Sequence, residues 1–121
     1  MAKYANDLVM DAALDKVATS TILTVCSTQP TTRTEAITTY KLADVVVDSG
    51  DFTKANGDIS GRKLTVAIQS SVPIDTSGTA LHVALCDGTD LLYVTTCTSQ
   101  ALVSGNTVTV PAWDIEIADP S

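Results

Sequence analysis

The spacing of hydrophobic and polar positions changes once along the chain, near residue 20. Before that point apolar residues recur at helical intervals, which predicts a helix over residues 5–18 with Asn6 or Asp7 as its cap. At 100° per residue Val9, Met10, Ala13, Leu14 and Val17 share one face. Asp7, Asp11 and Asp15 follow one another at i, i+4 and are expected on the opposite side. A column of like charges costs roughly 0.2–0.5 kcal/mol per pair on an isolated helix. It reads either as a solvated face or as a docking stripe for a basic surface.

From Ser20 onward the period is two, the spacing of half-buried strands. Ile22, Thr24 and Cys26 alternate with Leu23 and Val25, and a polar loop follows over residues 27–39. Within it Thr32-Arg33-Thr34-Glu35 has the form of a capping box, predicting a helical turn near residues 33–40. Residues 41–47 predict another strand. The segment 48–61 is rich in turn residues, and Asn56-Gly57 is a hairpin signal because both positions tolerate positive φ. Alternation then resumes at Leu64, Val66 and Ile68, at Leu81, Val83 and Leu85, and at Trp113, Ile115 and Ile117. Asp87-Gly88 predicts a hairpin between residues 80–86 and 91–97. Ser104-Gly105-Asn106 predicts a second, joining residues 100–103 to 107–110. Trp113 is expected in the core, because Ile115 and Ile117 continue its face. Seven or eight short strands at this spacing predict one mainly β domain over residues 1–121, a β-sandwich or jelly-roll-like fold with one short N-terminal helix.

Composition narrows the choice of function. The chain has 121 residues, 45% hydrophobic and 17% charged, which excludes a disordered tail. Its net charge of −7 leaves seven scattered Lys and Arg, too few for the basic stripe that a nucleic-acid binder needs. Anionic membranes are disfavoured for the same reason, and no run approaches the roughly 18 apolar residues of a membrane span. The opening residues carry Asp7, Asp11 and Asp15 where a secretory leader needs an uncharged core. Three cysteines, Cys26, Cys86 and Cys97, sit in strand-like contexts with no CxxC spacing, and read as buried free thiols of a protein made in a reducing cytoplasm.

Candidate chemistry is sparse. His82 is the only histidine, and it shares a strand face with Ala84 and Cys86 without further elements of a catalytic site. Asp48, Asp51, Asn56 and Asp58 are possible oxygen ligands for a cation, but they miss the EF-hand spacing and are explained by turn chemistry. No catalytic, metal or cofactor residues are assigned, and no cofactor is expected.

Several phrases carry a family resemblance: the opening MAKYANDLVMDAALDKVATSTILTVCSTQPTT, the central SGRKLTVA, the block GTALHVALCDGTDLLYVTTCTSQAL and the closing GNTVTVPAWDIEIADPS. In these the chain resembles small virion proteins of tailed bacteriophages, of the capsid decoration or cement type. The resemblance implies a non-enzymatic protein that binds the major capsid protein at the virion surface, as a homo-oligomer or symmetric array. Its expected contact residues are Asp7, Asp11 and Asp15 on the helix, with Thr31, Arg33 and Glu35 in the loop. The alternatives are a tail or fibre module that binds a receptor or another tail protein, and a small hydrolase or metal-dependent enzyme.

Overall fold

The computed structural model describes residues 5–118. One helix, α1 (Asp7–Val17), precedes nine strands: β1 (Ile22–Cys26), β2 (Lys41–Val46), β3 (Phe52–Asn56), β4 (Arg62–Val66), β5 (Gln69–Pro73), β6 (Gly78–Cys86), β7 (Leu91–Leu102), β8 (Thr107–Val110) and β9 (Trp113–Ile117). The fold is mainly β, with antiparallel pairing throughout. A four-stranded sheet runs β2-β1-β6-β7, a three-stranded sheet β3-β4-β9, and a two-stranded sheet β5-β8. The two-stranded sheet joins the β2 edge through a bridge between Ala43 and Ile74.

Alternation decides which side chains meet. Leu23 lies across from Val45 and Leu85, and Val25 from Ala43 and Val83, so the inner face of the four-stranded sheet is aliphatic. Leu64, Val66 and Ile115 from the three-stranded sheet, with Val72 and Val110 from the third, complete one buried core. Burying each of these large aliphatic side chains contributes roughly 1.5–3 kcal/mol. The other face of β1 is buried as well. There Ala36, from the π-helical turn Glu35–Thr39, forms a second cluster with Ala84 and Cys86.

Asn6 caps α1, its Oδ1 accepting from the Leu8 N–H at 2.8 Å. Met10 and Leu14 are the buried residues of the helix. Val9 and Ala13, expected on the buried face, are exposed instead. The helix is rolled toward its acidic column because cations await it: Arg62 and Lys54 share the inner-face register of Leu64 and need anionic partners.

Two strand predictions need correction. β3 lies inside the segment that read as turns, and its hairpin with β4 closes through a Gly57 N–H to Gly61 carbonyl bond rather than a two-residue turn at Asn56-Gly57. The turn at Ser104-Gly105-Asn106 forms, but β7 and β8 do not pair. β7 continues its ladder with β6 as far as Gly78↔Leu102, while β8 crosses to β5. Local turn chemistry specifies a reversal but not the strand partners, which here are β6 for β7 and β5 for β8.

Candidate functional surface

The two regions expected to make contacts meet at one residue, Asp87, in the turn between β6 and β7. Its Oδ1 accepts from the backbone N–H groups of Thr89 and Asp90 at 2.7 and 2.6 Å, which closes the turn. Its Oδ2 receives the Lys16 ammonium from the last turn of α1 at 3.3 Å. Its carbonyl accepts from Arg33 Nε at 2.8 Å. These bonds hold the Asp87 carboxyl below the usual range, the Asp90 and Thr89 amides contributing most and Lys16 less. One short turn therefore contacts both the end of α1 and the loop over residues 27–40.

The loop is internally fixed. Glu35 Oε1 accepts from both the backbone N–H and the hydroxyl of Thr31 at 2.8 Å, and the Thr32 hydroxyl accepts from the Glu35 N–H at 3.2 Å. The predicted capping box is thus formed on one side, and on the other the carboxylate reaches one residue further back than expected. The Thr31 contacts, backbone first, lower the Glu35 pKa. Pro30 and Ala36 are buried beneath, leaving Thr28, Gln29, Thr31, Thr32 and Thr34 exposed on a constrained backbone.

The acidic column takes a different place from the one expected. Asp11 pairs with Arg62 at 2.8 Å, both side chains only 19% exposed, and Asp15 pairs with Lys54 at 2.7 Å. Asp7 stays exposed. Two of the three acids are thus committed within the chain, tying α1 to β3 and β4. Beside the exposed Asp7, Asp15 and Lys16, α1 also turns apolar residues outward: Leu8 is 75% exposed and Val9 65%, with Ala12 and Ala13 one turn on. Sequence reasoning missed this strip. The only signal was that Leu8 fell outside the predicted apolar face.

The candidate catalytic and metal residues do not assemble. His82 lies across the ladder from Cys26, not against Cys86, and its buried Nδ1 has no hydrogen-bond partner. The Cys26 thiol bonds the Ala36 carbonyl and the Thr24 hydroxyl at 3.5 Å, and burial pushes its pKa up, away from the nucleophilic thiolate. Asp48 and Asp51 cap the 3-10 turn Ser49–Asp51, and Asn56 accepts from Arg62 Nη1 at 2.7 Å. Asp58 instead joins Asp114 and Glu116, whose carboxylate oxygens lie within 4.8 Å of one another. The Lys63 ammonium, 2.7 Å from Asp58 and 3.4 Å from Asp114, already supplies that cluster with a cation. Among the described residues, no helix is long and apolar enough to cross a membrane.

No protein-family model, curated protein or solved structure matches this chain.

Proposed function

We propose that this chain is a non-enzymatic structural protein of a tailed-bacteriophage virion, a cement protein that binds and stabilises the major-capsid lattice. The observation that carries the reading is the outward apolar strip of α1, Leu8, Val9, Ala12 and Ala13, linked to the Thr-rich loop through the contacts of Lys16 and Arg33 with Asp87. Interfaces between proteins place apolar contacts at their centre and polar groups at the rim, and this surface has that arrangement. Its backbone is fixed by bonds within the chain, so little conformational entropy is lost on docking. The resemblance of the sequence to phage decoration proteins supplies the partner.

A cement protein stabilises the lattice state that it binds selectively, by linkage, and many symmetry-related copies multiply a weak single contact. The site then consists of the α1 strip with Asp7, and the loop residues Thr31, Arg33 and Glu35. Asp11 and Asp15 act as internal anchors of the helix. Arg33 and Glu35 hold the loop in shape, and Thr31 presents its surface. The protein works on the outside of the shell as a symmetric array, without nucleic acid, membrane or cofactor.

The test is co-sedimentation of the purified protein with expanded and unexpanded shells of its own phage. Saturable binding to expanded shells at a fixed ratio to capsid subunits is expected. No binding to either shell contradicts the reading and favours a tail or fibre module.

A further inference from the structure

The hairpin between β3 and β4 carries a reactive pair of residues. The chain has three asparagines, Asn6, Asn56 and Asn106, and only Asn56 is followed by glycine. A glycine has no side chain to shield its backbone nitrogen, and that nitrogen can attack the carboxamide of the asparagine before it. The fold cannot dispense with Gly57. A Cβ there would run into the Ser60 carbonyl oxygen, a backbone atom that cannot move aside cheaply. The close approach that turns the hairpin thus creates the susceptible pair.

The folded hairpin keeps the two groups from reacting. Asn56 is the last residue of β3, in register with Arg62. Closing a five-membered ring onto the next nitrogen requires its ψ to leave the extended region that a strand imposes. Its Oδ1 accepts from Arg62 Nη1 at 2.7 Å, which fixes the carboxamide. The Gly57 N–H donates to the Gly61 carbonyl at 2.9 Å, and ring closure requires that proton to leave. Arg62 is in turn placed by Asp11 of α1, whose Oδ1 lies 2.8 Å from Nε. β3 is the edge of its sheet and pairs with β4 alone, so local opening of this hairpin releases every one of these constraints.

We propose that Asn56-Gly57 is a deamidation site that the β3–β4 hairpin holds closed, with the Asp11–Arg62 pair as part of its latch. In the open hairpin the Gly57 nitrogen gives its proton to solvent base and bonds to Asn56 Cγ. The Cγ–Nδ2 bond breaks and ammonia leaves. Water then opens the resulting succinimide at either carbonyl, leaving aspartate or isoaspartate at position 56. The reaction needs water and base alone. Either product adds a negative charge to a chain of net charge −7, and isoaspartate also adds a carbon to the backbone at the ladder pair with Arg62. Modification therefore acts beside the residue that anchors α1. The inference is independent of the capsid reading, because it uses neither the α1 strip nor the Asp87 turn.

The full chain is incubated at mildly alkaline pH, folded or in guanidinium chloride. Mass spectrometry then follows the tryptic peptide from Ala55 to Arg62 for conversion of amide to acid. Asn56 is expected to convert faster than Asn6 or Asn106 in the unfolded chain, and at least about tenfold more slowly once folded. Asp11→Asn is expected to raise the folded-state rate severalfold. Gly105→Ala, which destabilises the chain at the turn between β7 and β8, is expected to leave that rate unchanged. Asn56→Gln keeps an amide on a longer side chain and is expected to remove the signal. A folded-state rate equal to the unfolded one overturns the inference, as does the absence of conversion in guanidinium chloride. An unchanged rate in Asp11→Asn removes the latch. Equal acceleration by Gly105→Ala and Asp11→Asn also contradicts the proposal, because modification would then follow global unfolding and not this hairpin.

Discussion

Asp11 Oδ1 accepts from Arg62 Nε at 2.8 Å, joining the middle of α1 to the start of β4 across 51 residues of sequence. Each side chain is 19% exposed. The pair lies beside Leu14 and Leu64, so the helix is anchored by packing and charge at one point, and its remaining apolar residues are turned outward. Asp11→Asn keeps the shape and removes the charge, leaving the guanidinium without its anion. It is expected to lower the unfolding midpoint by less than Leu14→Ala, which empties a site that is 1% exposed and costs about 2–5 kcal/mol. Urea denaturation of both variants checks the order.

Glycine 61 and glycine 105 both have positive φ, +72° and +91°. A Cβ at Gly61 runs into the Ile117 carbonyl at the β4–β9 edge, whereas one at Gly105 meets nothing within 4 Å. Gly61→Ala is expected to destabilise severely. Gly105→Ala costs only the left-handed backbone penalty, roughly 1–2 kcal/mol. Thermal unfolding of the two variants separates the steric term from the conformational one.

The three thiols differ in access. Cys26 and Cys86 are fully buried, and burial raises the pKa of each. Cys97 is partly exposed, its pKa also raised by desolvation. Mass spectrometry after iodoacetamide treatment of the native protein is expected to find one modified cysteine, Cys97, and three after denaturation.

Asp87 sets the sign of part of the pH dependence. Its pKa is lowered in the fold, first by the Asp90 and Thr89 amides, so its ionised form stabilises the native state. That contribution is complete above the ordinary carboxylate range and is lost as the pH falls through the lower folded value. Asp58 and Glu35 are lowered too and act in the same direction. Asp44, raised first by burial and then by its contact with Asp75, acts in the opposite one. Asp87→Asn is expected to lower the urea midpoint at pH 7 and to flatten its fall below roughly pH 5.

The sequence was most legible where one residue row faces one environment. The alternations at Leu23 and Val25, at Val83 and Leu85 and at Ile115 all mark core faces, and the β6–β7 turn at Asp87 sits where its chemistry placed it. β3 was hidden because the row that shares a face with Leu64 is Phe52, Lys54 and Asn56, only the first apolar, and its polar members are matched by Asp15 and Arg62. The roll of α1 was hidden for the same reason, since the cations that draw its acids inward lie on β3 and β4. Of the contact residues, the Thr31–Glu35 geometry was readable from local spacing. Its meeting with α1 at Asp87 was not, because Arg33 reaches Asp87 across 54 residues.

The central claim is that the outward strip of α1 docks on the capsid lattice, and Leu8→Asp/Val9→Asp tests it most directly. Both side chains are exposed, so surface substitution there is expected to change stability by no more than about 0.5 kcal/mol each. The measurement is the amount of variant and unmodified protein sedimenting with expanded shells, compared at low and high salt. The account predicts that the variant fails to bind, while the unmodified protein binds with little loss at high salt, because Asp11 and Asp15 are already paired within the chain. Full binding by the correctly folded variant would contradict it.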